Sequence, residues 1–279
     1  MVGQIQIVAH EGIDEDFLTR IRTWANEVWE RTELLSALPN LCITIWKTME
    51  ELQVFYRKEK EDLGVVTGEE MDFLATHDAW RGYPRVHICQ ERLMGIAGTI
   101  VQGVIHHEIG HALHHGTPEF YTFRFSIRLQ EAGRSQGLDL PLLQQCVYHL
   151  SVAIKDQEVI LWLAKNGLGS SQLALLGYLI SDTKEEHQVW ERIRESPPLR
   201  KIAFAAFLKT LLPIEAMISA GFEDAQILKN QWDEVYGWLS EGERKGLSLL
   251  ARSIMNLEVK TFQERLEQAT FKLITEPCL

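Results

Sequence analysis

The chain has 279 residues, 46% hydrophobic and 24% charged, which is the balance of an ordinary soluble globular protein of one large domain or two packed smaller ones. Its net charge of −11 is uneven: residues 1–120 hold 10 Lys and Arg against 19 Asp and Glu (−9), and the remainder hold 18 against 20 (−2). No basic stripe runs through it, so nucleic acid is not expected as a partner, and the acidic front half reads as a solvated surface or as a field that favours basic peptides.

In chain order, Met1–Gln6 has no basic region followed by a long apolar run, so no signal peptide is expected. Gln4–His10, with Ile5, Ile7 and Val8, reads as a short strand. Ile13–Ala37 reads as a helix: Phe17, Ile21, Trp24, Val28 and Leu35 recur at near-helical spacing, and Asp14, Glu15 and Asp16 suit the first turn. Pro39-Asn40 makes a turn, and Leu41–Trp46, rich in β-formers, is a second strand. Thr48–Lys60 is a helix opened by a capping box of Thr48 and Glu51, with Glu59–Asp62 as its exposed charged end. After a loop at Trp80–Pro84, Arg85–Cys89 is a third strand.

Leu93–His115 carries no proline and reads as a buried helix that Gly116 and Pro118 end. Within it stands His107-Glu108-Ile109-Gly110-His111, a His-Glu-x-x-His motif. Histidines four residues apart share one helix face, one turn apart, and two neutral imidazoles so placed can bind one tetrahedral zinc ion. Ile100, Val104, His107 and His111 form one line, so the histidines continue an apolar, inward-facing stripe. Accidental histidines would normally occupy a polar face, because an unpaired imidazole among apolar groups costs free energy. Gly103 and Gly110, on the same side, leave room for another element. Glu108 is rotated by about 100° from His107, where a carboxylate reaches water on the metal rather than the metal itself.

At His107, Glu108 and His111 the chain resembles the zincin metallopeptidases. The metzincin branch extends the motif with a glycine and a third histidine; here position 114 is His and position 117 is Thr. The chain therefore looks more like a gluzincin, in which the third ligand is a glutamate on a later helix. The resemblance implies a zincin-like α+β fold. Residues 1–120 would be an α/β subdomain holding the metal helix, and residues 121–279 a helical subdomain that supplies the third ligand. It implies Zn²⁺ as cofactor, Glu108 as general base and a peptide or protein substrate. It also implies an edge strand that pairs with substrate; Arg85–Cys89 is the candidate, an interior strand being the alternative.

From about Phe120 onward helical periodicity is nearly continuous, with breaks expected at Gly167-Leu168-Gly169, Pro197-Pro198, Pro213 and Gly221. In Pro141–Lys165, Leu143, Val147, Leu150, Ile154, Glu158 and Leu161 fall on one line. Glu158 thus sits in an apolar stripe, where an unpaired carboxylate is costly and either a zinc ion or a buried base would satisfy it. It is the expected third ligand. Asp156 lies on the other side of that helix, with Val152, Val159 and Ile160, and is the alternative, or a group that orients a ligand histidine. Glu119 is a further candidate, with a surface carboxylate as its plainer reading. His114 and His115 are expected to line the cleft wall or face solvent. Tyr121, Tyr148 and His149 are possible donors to an oxyanion.

Trp190, Phe204, Phe207, Trp232, Trp238 and Phe262 read as core. Lys209, Pro213 and Glu215 interrupt the apolar stretch near Ile202–Ile218, so no membrane span is expected. Cys42, Cys89, Cys146 and Cys278 are widely spaced, which argues against a disulfide scaffold or a cysteine zinc site and suits the cytosol. The expected activity is zinc-dependent peptide hydrolysis. A zinc hydrolase of non-peptide amides and a non-catalytic zincin-like binding protein are the alternatives, and an intact Glu108 argues against the second.

Overall fold

Three runs of β-branched and apolar residues form the parallel part of a four-stranded sheet. β1 (Ile5–Ala9) pairs with β2 (Leu41–Trp46), and β2 with β4 (Arg85–Cys89). β3 (Ala75–Asp78) pairs antiparallel with β4, giving the order β1-β2-β4-β3. The computed structural model describes residues 4–31, 40–64, 73–181 and 183–276. The fold class is α+β. Pro39, the far end of the Ile13–Ala37 helix and Cys278 lie outside the described residues; Cys42, Cys89 and Cys146 are free thiols.

The chain divides into two units: Met1–Tyr121 with Lys165–Leu175, and Thr122–Ala164 with Leu176–Leu279. In the first, α1 (Glu15–Glu30) begins at an Asp14 cap, and α2 (Met49–Leu63) carries the expected Thr48/Glu51 capping box. α2 packs on β2 and β4 through Leu52 and Tyr56 against Trp46 and Cys89. A single turn, α3 (Gln90–Leu93), precedes α4 (Gly98–His114), which packs on α1, β3 and β4. α4 starts five residues later than expected because Gly95 takes φ +82, a left-handed conformation that no helix continues through.

β4 is buried at every residue and lies inside the sheet, so Arg85–Cys89 is the interior strand of the two alternatives and not an edge. β1 and β3 are the edge strands among the described residues. Alternation along β3 and β4 splits their side chains between two faces. Arg85, His87 and Asp78 face α2: Arg85 bonds Glu59 and Asp78, and His87 meets Phe55 and Tyr56. Glu59 is therefore buried in an ion pair, not part of an exposed charged end. Trp46 Nε1–H donates to His87 Nδ1 at 3.2 Å, which puts the ring proton of His87 on Nε2, 3.3 Å from Asp78 Oδ2. Burial works to raise the Asp78 pKa, but His87 and Arg85 outweigh it and hold the carboxyl below its ordinary value.

The second unit is helical: α5 (Ile127–Ser135), α6 (Leu140–Leu163), α7 (Gly169–Leu179, begun in the first unit), α8 (Lys184–Ile193), α9 (Pro197–Ser219), α10 (Asp224–Val235), α11 (Glu241–Met255) and α12 (Phe262–Thr275). No strand follows Tyr121 among the described residues. α6 and α7 are joined by a π-helical segment at Ala164–Leu168, where Gly167 takes φ +80. Pro213 does not break the chain; it lies inside α9, whose first turn instead begins at Pro197. α9 packs along α6, α10 and α11. It is the one described helix long and apolar enough to cross a membrane, and 61% of its most apolar window is buried within the protein. Trp190, Phe204, Phe207 and Trp232 are core, as expected, while Trp238 and Phe262 are partly buried.

Candidate metal centre

α4 presents His107 and His111 one turn apart, with His111 buried and His107 partly so. Their Nε2 atoms lie 2.9 Å apart and their rings stand nearly perpendicular, at 87°. Both nitrogens therefore face one point. Bonds of about 2.0–2.1 Å to one tetrahedral zinc would set two such nitrogens ~3.3 Å apart, a separation that small side-chain rotations supply. Without an ion, the same approach requires that one ring bring N–H and the other a lone pair.

Among the described residues, one group of His, Cys, Asp and Glu could hold a metal: ligand atoms of His107, His111 and Asp156 all lie within 4.8 Å of one another. Two imidazoles and a carboxylate are a donor set suited to zinc, and three protein ligands leave a fourth position open. The carboxylate in this group is Asp156, not Glu158. The Glu158 Oε1 accepts from Arg265 Nη1 of α12 at 2.7 Å, and the same guanidinium holds the neighbouring Gln157. Residues two apart on a helix differ by about 200° in direction, so α6 offers one of these two carboxylates to a given point and not both. Glu119 sits in an exposed 3₁₀ turn, Pro118–Phe120.

His115 is buried rather than solvent-facing. Its Nδ1 lies 3.2 Å from Nδ1 of His111. A proton on the His111 Nδ1 in that contact leaves its Nε2 lone pair for a metal, the orienting role that a second group commonly plays beside a ligand histidine. The spacing His107, His111, His115 runs i, i+4, i+8. Helical geometry alone could have flagged this residue.

His106 points to the other side of α4 and ties the helix down. Its Nε2 lies 3.0 Å from Glu27 of α1, and its Nδ1 lies 3.0 Å from Ser171 Oγ of α7. Burial lowers its pKa to about 4 against the pull of Glu27, so at neutral pH the single ring proton sits on Nε2, facing the carboxylate. Gln172 Nε2 donates to the Gly103 carbonyl at 3.1 Å. Gly103 does admit a close neighbour, as expected. That neighbour is the start of α7: a Cβ at Gly103 would collide with the Ser171 carbonyl and meet Leu175 Cβ at 3.0 Å.

Glu108 bonds a residue that nothing in the sequence singles out. Its Oε2 lies 2.6 Å from Nδ1 of His77, on β3. The His77 ring also stacks on His111, with centroids 4.2 Å apart and an 8° interplanar angle. His77 precedes Glu108 by thirty-one positions, and no spacing rule connects them. Tyr121 stands 6.2 Å from His77, ring to ring. Burial, with Asp78 and Glu108 nearby, pushes the Tyr121 phenol well above its ordinary value, so it keeps its proton and can donate.

The chain matches no protein-family model, no curated protein and no solved structure.

Proposed function

We propose that this chain is a zincin-like, zinc-dependent peptidase. The observation that carries the reading is the convergence of the two motif Nε2 atoms at 2.9 Å, with Asp156 as the third donor in reach. A zinc ion held there would act as a Lewis acid and make water a nucleophile near neutral pH. His107, His111 and Asp156 would hold it, with His115 keeping the His111 Nε2 lone pair turned inward. Glu108 follows the first ligand without being one. Its carboxylate takes a proton from the attacking water and then delivers it to the leaving amine. Tyr121, protonated at neutral pH, is a donor for the developing oxyanion. A structural zinc site would take four protein ligands and would have no use for a base placed beside it.

The test is metal analysis joined to cleavage profiling with a mixed fluorogenic peptide library. Zinc should bind at about one ion per chain and be lost in His107→Ala and His111→Ala. Glu108→Gln should keep the zinc and lose at least about 10²-fold in hydrolysis. Asp156→Asn should weaken zinc binding more than Glu158→Gln, whose side chain remains beside Arg265. Protein that retains no stoichiometric metal after zinc reconstitution refutes the reading, as does a zinc-loaded protein that cleaves nothing in the library.

A further inference from the structure

We propose that His77 is the positioning residue of Glu108: its Nδ1–H holds the carboxylate, while its ring rests on His111. The catalytic consequence rests on the peptidase reading above, but the hydrogen bond does not. The geometry is direct. His77 Nδ1 and Glu108 Oε2 are 2.6 Å apart, with 15% and 13% of the two side chains exposed. A carboxylate can only accept, so the proton of this bond sits on Nδ1. A glutamate has three rotatable side-chain bonds, and only some of its rotamers bring the carboxylate to His77. Anchoring one oxygen removes that freedom and leaves Oε1 to handle a proton.

Only a flat ring with a donor at its edge can make both contacts, and histidine supplies both. The stack on His111, at 4.2 Å and 8°, sets the ring plane. The edge nitrogen then falls opposite Glu108, three residues before His111 on the same helix. His77 thereby ties the base to one of the motif histidines, so a shift in one is felt by the other. Its own position is fixed through its neighbour. Asp78, on the opposite face of β3, accepts from Arg85 Nε at 2.9 Å and from Tyr56 Oη at 3.3 Å. β3 is thus pinned from below while His77 reaches up to α4.

Two substitutions separate the two contacts. His77→Phe keeps the stacking ring and removes the donor. His77→Asn removes the ring and keeps an amide N–H bonded to Cγ, where Nδ1 stood. With the best-cleaved peptide of the library, His77→Phe should lose about 10–100-fold in kcat, with KM within about twofold and zinc content unchanged. His77→Asn should stay within about threefold of the unsubstituted protein. A packing role predicts the reverse order, with His77→Phe the milder change, and that order overturns the proposal. The second measurement needs no activity: ¹⁵N spectra of the zinc-loaded full chain, with the His77 signals assigned by their loss in His77→Asn. Nδ1 should be protonated. An unprotonated Nδ1 overturns the proposal. If the protein cleaves no peptide while Nδ1 carries its proton, the peptidase reading fails and the His77–Glu108 bond stands. If the protein cleaves and His77→Phe cleaves equally well, the positioning role fails and the peptidase reading stands.

Discussion

Replacing Gly103 by alanine reverses the usual sign of that substitution. In an exposed helix interior, Gly→Ala stabilises by about 1 kcal/mol, because alanine loses less backbone freedom on folding. At Gly103 the added Cβ collides with the carbonyl oxygen of Ser171 and presses on Leu175. A flexible side chain could swing away, but a backbone carbonyl inside α7 cannot. α4 and α7 must separate, and such overpacking costs about 1–3 kcal/mol. The shift also stretches the Gln172 bond to the Gly103 carbonyl, now 3.1 Å, and losing it costs a further ~1 kcal/mol. Set against the helix gain, the net change is a destabilisation of about 1–3 kcal/mol. Urea unfolding measures it as a lower midpoint with an unchanged slope. Gly98→Ala, at the first residue of the same helix with nothing within 4 Å of its new Cβ, is the control and should be neutral or slightly stabilising. A Gly103→Ala protein as stable as the parent would refute the close contact between α4 and α7.

Two further outcomes follow from buried charge. Arg85→Met strands the buried Asp78 carboxylate without its arginine, while Glu59 keeps Arg81, so it should destabilise by about 3–5 kcal/mol in urea unfolding, and a change under about 1 kcal/mol would contradict the network. Burial lowers the folded pKa of His106 and of His149 from 6.5 to about 4, Glu27 opposing it at His106 and Lys209 adding to it at His149. Stability from keeping each ring neutral is then full above pH ~6.5 and is lost as pH falls toward ~4, amounting to about 2 kcal/mol per ring at pH 5. His149→Leu should accordingly flatten the stability curve between pH 7 and 5, and parallel curves for variant and parent would show that His149 does not carry this term.

What was legible in the sequence is what local chemistry decides. β1, β2 and β4 announce themselves by β-branched runs, and α2 by a capping box whose two halves lie three residues apart. The motif on α4 was legible for the same reason, since ligand spacing on a helix is a local property. β3 was not. Ala75-Thr76-His77-Asp78 has no apolar alternation; the strand pairs with β4 along its length, and Asp78 bonds Arg85 from that neighbour. Glu59 misled for a related reason: a charged run looks solvated until Arg81 and Arg85 arrive from elsewhere in the chain. Between Asp156 and Glu158 the apolar stripe favoured Glu158, yet an apolar stripe tolerates a carboxylate wherever any partner meets it. Arg265, more than a hundred residues later, is that partner.

The same long-range partners decide how the site is held. His77 and Asp78 are adjacent, and strand alternation sends them to opposite faces of one edge strand. Asp78 belongs to a set in which every charge has an opposite: the buried Glu59 and Asp78 against the buried Arg85 and the more exposed Arg81, with Tyr56 Oη–H donating to Asp78. A set like this adds little net stability over apolar packing but penalises any displacement, because a moved strand leaves charges unpaired in a buried place. Edge strands are otherwise the least restrained part of a sheet. Placing the ion set on the strand that carries His77 therefore gives positional stiffness to the partner of the Glu108 carboxylate. The consequence separates stiffness from stability. Arg85→Met should disturb the His77–Glu108 bond under native conditions, well below the denaturant concentration that unfolds the protein. The His77 Nδ1 proton should then exchange with solvent faster than in the parent. Equal exchange rates in the two proteins would show that β3 is held by something other than its ion pairs.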